Sequence, residues 1–173
     1  GFPFVFQHGL GGDSNQTFAL YPPRPRLQLI TLDSRAHGRT RPVGPNENIT
    51  IADFADDVIA LLDYLGISRA IIGGISLGAA VALNLALRYP DRTKGLVLCR
   101  PAWSPEPNPL LVDLYGRIAA LIRSKGARRG RELFAAGEEF SAIETESTDC
   151  ATSLLGQFDD PQIAQRVVRL ERL

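Results

Sequence analysis

A chain of 173 residues, 45 % of them hydrophobic and 22 % charged, is long enough for one globular domain with a real core. Nineteen basic side chains balance nineteen acidic ones, and neither a basic stripe that would suit nucleic acid nor a charged tail that would seek an opposite partner stands out. The apolar runs are too short to cross a bilayer as helices, so no membrane partner is expected. Cys99 and Cys150 are too few and too far apart for a disulfide framework, and read as free thiols of a cytoplasmic protein. No secretory signal is visible. The chain opens at Gly1 and runs straight into a strand, so a natural N-terminus is expected further upstream.

In chain order, residues 2–7 are aromatic-rich with one Val and predict a buried strand ending at His8-Gly9. A second strand is predicted over 27–32, closed by Asp33. Helical spacing dominates 50–65, where Phe54, Val58, Leu61, Leu62 and Leu65 share one face. Thr50 can cap this helix with Asp53 three residues on, Ile49 and Phe54 stand where a hydrophobic staple needs them, and Gly66 is the stop. A third strand is predicted over 69–73. Residues 77–89 are apolar nearly all round and predict a buried helix, ended by Pro90. A fourth strand is predicted over 95–99. Four prolines in 101–109 break the rhythm, and helices are predicted at about 110–124, 128–140, 147–156 and 160–172.

Alternating strands and helices imply an α/β fold with a mainly parallel sheet and helices on both faces. Residues 1–100 read as the N-terminal part of that core, and 101–173 as a helical cap inserted after the fourth strand.

The chemistry concentrates at Gly74-Ile75-Ser76-Leu77-Gly78, between a buried strand and a buried helix. That is the context of a nucleophile elbow, in which a strained serine is lifted out of the sheet and glycines two residues on either side avoid a clash. The Leu77 amide then sits at a helix N-terminus, where it can stabilise an oxyanion. The bland alternative is a serine that merely caps the helix. After the first strand, His8-Gly9-Leu10-Gly11-Gly12 supplies glycines for close backbone approach, and Leu10 is the best source of a second oxyanion amide. His8 reads as a brace for this loop in preference to a base.

These residues resemble the core of the α/β-hydrolase superfamily over 2–100. The branch they resemble contains 3-oxoadipate enol-lactonases, cofactor-free haloperoxidase-like esterases and proline-iminopeptidase-like enzymes. His8-Gly9-Leu10-Gly11 is similar to the family's oxyanion loop, Asp33 to Thr40 to its D-x-R-G-x-G-x-S turn, and Gly74 to Gly78 to its elbow. Tyr89 to Arg92 and Gly95 to Leu98 look like its helix exit and next strand. The family's strand order implies that 2–7 lies between 27–32 and 69–73, with 95–99 outermost and its far edge open. Ala36, Thr40 and Ala79 depart from the usual Gly, Ser and Gly. His37 matches a family histidine without catalytic role.

The resemblance implies a serine hydrolase acting on a small ester, lactone or related acyl substrate, with no cofactor and no metal. Ser76 would be the nucleophile, Leu10 and Leu77 the oxyanion donors, and Gly9, Gly11, Gly74 and Gly78 the motif glycines. Trp103 is a possible pocket-lining residue. A base and an acid should follow the nucleophile, yet no histidine follows Ser76. Asp113, Asp149, Asp159 and Asp160 fall in helical or turn contexts, and Glu106 is the one remotely placed substitute. Acid, histidine and the closing C-terminal strands are therefore expected beyond this segment. A non-catalytic small-molecule binder on the same fold is the alternative. A dinucleotide site is weaker, because Ser14 stands where Gly9-x-Gly11 would need its third glycine.

Overall fold

A computed structural model describes every residue except 23, 41–44, 102–108, 160–162 and 173. Its sheet has four parallel strands, β1 (Phe2–Gln7), β2 (Leu27–Ile30), β3 (Ala70–Ile75) and β4 (Thr93–Cys99), in the order β2-β1-β3-β4. This is the order that the family resemblance implies, with helices on both faces of the sheet. β4 pairs only with β3 among the described residues, and Leu96 and Leu98 stay 42 % and 38 % exposed along it.

Register assigns the two faces. Phe6 pairs with Gly73 and Gly73 with Val97, so these share one face; Val5, Ile72 and Leu96 share the other. On the first face Phe4, Phe6 and Tyr21 form an aromatic cluster, with Tyr21 5.2 Å from Phe4 and 4.6 Å from Phe6. Gly73 makes room for it, since a Cβ there would stand 3.0 Å from the Phe6 ring and 2.8 Å from the Val97 carbonyl oxygen. Tyr21 thereby reaches Cys99, with its hydroxyl 3.8 Å from the sulfur.

β2 is shorter than the predicted 27–32. The ladder runs out at Val5–Ile30, and the Leu32 amide donates instead to the Gln7 side chain at 3.5 Å. β3 is longer than predicted and continues through both glycines to Ile75. A short helix α1 (Ser14–Leu20), capped by Asp13 on the Asn15 amide, was not predicted. Its seven residues carry too little periodicity to stand out.

Helix α2 (Ile51–Tyr64) follows its sequence signals closely. Thr50 is the N-cap and accepts from the Asp53 amide at 3.1 Å, while the Asp53 carboxylate accepts from the Thr50 hydroxyl. Ile49, Phe54, Val58 and Leu62 are buried. Helix α3 (Leu77–Arg88) departs from the all-round burial expected. Leu77, Val81 and Leu85 are buried, but Leu83 and Leu87 are 42 % and 74 % exposed. Only one face of α3 meets the core, so apolar composition alone overstates its burial.

The chain divides into two compact units, 1–107 and 108–173. The second unit is helical: α4 (Pro109–Ala135), α5 (Glu138–Glu146), α6 (Thr148–Gly156) and α7 (Ile163–Arg172). Gly126, at φ 75° and ψ 166°, breaks α4. A Cβ on Gly130 would stand 3.2 Å from the Leu121 carbonyl, although nine residues of straight helix span about 13 Å. The two halves of α4 thus double back on each other. The predicted 128–140 helix is split before Gly137, the N-cap of α5. Phe134 packs against Phe140 and Phe158 at 5.6 and 5.7 Å.

The α2 cap gives a direct test. Thr50→Ala should lower unfolding free energy by about 1 kcal/mol in urea titrations, and Thr50→Ser should stay within a few tenths, about 0.3 kcal/mol.

Candidate active site

Ser76 lies between the end of β3 and the first turn of α3, with φ 53° and ψ −116°. Positive φ is costly for a residue with a Cβ, and the surrounding backbone enforces it. The Ser76 amide donates to the Cys99 carbonyl at 3.0 Å, which ties the turn to the end of β4. Its carbonyl accepts from the Ala79 and Ala80 amides, at 2.9 and 3.3 Å. The side chain makes no capping hydrogen bond, so the serine is not serving as an ordinary helix cap.

The flanking glycines are required by contact. A Cβ on Gly74 would collide with the Gly78 carbonyl and stand 2.8 Å from the Ala79 nitrogen. A Cβ on Gly78 would collide with the Gln7 carbonyl and stand 2.7 Å from the His8 oxygen. The second contact involves β1, so α3 is pressed against two strands at once. Leu77 occupies the first helical position, where an α-helix offers its amide no acceptor of its own.

The loop after β1 approaches Ser76 from the side. A Cβ on Gly9 would stand 3.6 Å from the Ser76 Cβ. Gly9 to Gly12 form a tight turn closed by the Gly12 amide on the Gly9 carbonyl at 3.0 Å, with Leu10 and Gly11 in the middle. Gly11 has φ 80°, which a glycine adopts without a Cβ penalty.

His8 is 1 % exposed and both ring nitrogens are committed. Nε2 faces the Ser34 amide at 3.0 Å, and an amide can only donate. Nδ1 therefore carries the proton and donates to the Gly9 carbonyl at 2.9 Å. This neutral tautomer braces the loop and leaves His8 without a nitrogen for base work. His37 is fully buried, with Nδ1 2.9 Å from the Arg35 carbonyl and its ring 5.0 Å from that of His8.

The turn after β2 locks the same region. Asp33 accepts from the amides of Ser14 at 2.7 Å and Arg39 at 2.8 Å. Burial pushes its carboxyl upward, but the Arg39 and Ser14 hydrogen bonds outweigh that and hold it below the ordinary carboxylate range. Arg35 forks onto Asp57 with two bonds of 2.7 Å and also reaches the Asn48 carbonyl. Ala36 has φ 62° and Gly38 φ 49°. The position of Ala36, where the resembled turn has glycine, is thus one where a Cβ costs something.

Sequence reasoning missed Gln16, whose Oε1 accepts from the Gly9 amide at 2.8 Å. It also missed Gln7, because neither glutamine belongs to a motif. Trp103, Glu106 and Asp160 lie outside the described residues. In the second unit Asp113 pairs with Arg117 at 3.0 Å and Asp159 with Arg131 at 3.4 Å. No helix is long and apolar enough to cross a membrane, and no group of three or more His, Cys, Asp or Glu could hold a metal ion, both among the described residues.

The profile of the α/β hydrolase fold matches residues 3–136, and the chain belongs to that family. Proline iminopeptidase from Neisseria meningitidis is 33 % identical over 109 residues, covering 59 % of this chain and 35 % of the relative. A putative non-heme haloperoxidase of Mycobacterium phage D29 is 27 % identical over 172 residues, covering 98 % and 60 %. Both fall in the branch that the sequence resembles. The crystal structure of MGS-M2, an alpha/beta hydrolase enzyme from a Medee basin deep-sea metagenome library, superimposes with a TM-score of 0.73 at 20 % identity. That match covers 98 % of this chain and 62 % of MGS-M2. The chain spans less than two thirds of the length of each.

Two substitutions test this geometry. Gly78→Ala should cost at least about 3 kcal/mol, because backbone on both sides cannot give way. Asp33→Asn should cost about 2 kcal/mol near neutral pH by loss of the charge-assisted bonds. The folded carboxyl has the depressed value, so its contribution exists above the unfolded carboxylate value and fades as pH falls through the folded one. The gap between wild type and variant in urea unfolding should therefore close toward acid pH.

Proposed function

We propose that this chain is the nucleophile-bearing part of a serine hydrolase acting on a small ester, lactone or related acyl compound. The observation that carries the reading is Ser76 at positive φ between two glycines that tolerate no Cβ, its side chain unused by the helix it precedes. The Ser76 hydroxyl attacks the acyl carbonyl and gives its proton to a histidine. The carbonyl oxygen becomes an oxyanion held by the amides of Leu10 and Leu77. Collapse expels the alcohol, which takes the proton from the histidine, and water then cleaves the acyl-serine by the same steps. This chemistry calls for no cofactor or metal.

His8 and His37 both precede Ser76, so the base and the acid that orients it are assigned to sequence outside this segment. Residues 101–173 are read as a helical cap region, with Trp103 as a lining residue. A cytoplasmic setting is supported by the two free thiols, Cys99 and Cys150. The relatives' names, a peptidase and a haloperoxidase, leave the substrate at the level of a small acyl compound.

In the full-length protein, a fluorophosphonate probe should label Ser76 covalently, and Ser76→Ala should abolish the label, as read by intact-protein mass spectrometry. The 173-residue chain alone should hydrolyse activated esters at no more than a small residue of an enzyme's rate, since no base follows its nucleophile. Persistent labelling of Ser76→Ala would defeat the assignment. An unlabelled wild type that binds small molecules would favour the non-catalytic alternative.

A further inference from the structure

The Gly9 amide is bonded to a side chain that no motif includes. Gln16 extends from α1 and accepts this N–H at 2.8 Å. Gly9 is the hinge between the end of β1 and Leu10. Its two backbone rotations are the soft dihedrals that carry the chain from His8 to the Leu10 amide, and glycine restrains them least of any residue. Something external must hold both flanking peptide planes.

The plane after Gly9 is held by its carbonyl. That oxygen accepts from His8 Nδ1 at 2.9 Å and from the Gly12 amide at 3.0 Å. In a trans peptide the Leu10 N–H points opposite to this carbonyl, so fixing one aims the other. The plane before Gly9 is held at its N–H by Gln16. Gly12 matters a second time here, because a Cβ on it would stand 2.7 Å from Gln16 Oε1. A bare Gly12 is what allows the glutamine to reach Gly9.

We propose that Gln16 is a positioning residue for the oxyanion amide of Leu10, acting by fixing the His8–Gly9 peptide. This rests on the serine-hydrolase reading above. An oxyanion donor helps only in the transition state, so misaiming it lowers kcat and leaves KM nearly unchanged. A small misplacement of a reacting or stabilising group can cost about 10- to 100-fold.

The test is a double-mutant cycle in the full-length protein with an activated ester. Gln16→Ala should lower kcat about tenfold or more, with KM within about twofold. Gly12→Ala keeps the glutamine but sets a Cβ 2.7 Å from its oxygen and 3.2 Å from the Gly9 carbonyl oxygen, and should produce at least the same loss. The double variant should be no worse than Gly12→Ala alone, since the bond that Gln16→Ala removes is already lost there. Hydrogen exchange at the Gly9 amide should quicken about tenfold or more in all three, at unchanged thermal midpoint. Ser76→Ala runs alongside. If it abolishes turnover while Gln16→Ala leaves kcat intact, the Gln16 role is overturned and the nucleophile stands. Additive losses in the cycle would also overturn the shared-bond role. If Ser76→Ala turns over normally, the serine-hydrolase reading fails and the positioning role falls with it.

Discussion

The structure depends on one close approach: the first turn of α3 lies against backbone of both β3 and β1, with no side chain between them. Gly74 and Gly78 make that approach possible, the former facing α3 and the latter facing Gln7 and His8. Strand and helix that touch this closely leave no room for a relaxed connection. Ser76 must turn through positive φ, and its amide then reaches the Cys99 carbonyl. The same contact draws the loop after β1 toward the serine, because Gly78 sits under the residues that begin that loop. Strain at Ser76 of about 1–3 kcal/mol is sustained by the packed helix faces behind the turn. Leu77, Val81 and Leu85 of α3 and Val58 and Leu62 of α2 are all buried.

Polar contacts then join the loops into one body. His8 donates to the loop after β1 and accepts from the turn after β2. Asp33, in that turn, accepts from the first residue of α1 and from the turn's own far side. Gln16 returns from α1 to the first loop. The circuit is closed, so none of these three segments moves without disturbing the others. Buried polar groups are tolerable because they are paired, and each pairing fixes a tautomer or a direction. His8 illustrates this: a protonated ring would set an N–H against the Ser34 N–H, so the fold selects the neutral form.

Much of this was legible in the sequence, and the reasons for the gaps are physical. The strands and the α2 cap followed from long apolar runs and from Thr50-x-x-Asp53, signals that local chemistry fixes, whereas the strand order came from the family resemblance. The strained backbone at Ser76 followed from the spacing of two glycines. The boundaries of β2 and β3 did not, because a ladder ends where its partner ends, and Val5–Ile30 is a tertiary fact. α1 was missed because seven residues hold barely two turns of pattern. The exposure of Leu83 and Leu87 was missed because burial depends on what faces a helix, and composition does not record that. Gln16 was invisible for a different reason: a glutamine can bond anywhere, and only the geometry of Gly9 and Gly12 selects it.

A consequence concerns what this half of the fold can and cannot specify. The donors proposed for the oxyanion are backbone amides, and the residues that shape the elbow are glycines. His8, Gln16 and Asp33 act on backbone groups as well. On the proposed reading, a site built this way would hold a carbonyl that becomes tetrahedral and be indifferent to what the acyl group or the leaving group carries. Discrimination then has to come from side chains that line the remaining surface around the serine. That division fits relatives whose names include both a peptidase and a haloperoxidase at 27–33 % identity. The residues that define the chemistry here are therefore poor guides to the substrate, and the guides are to be sought among side chains that touch neither the elbow nor its braces.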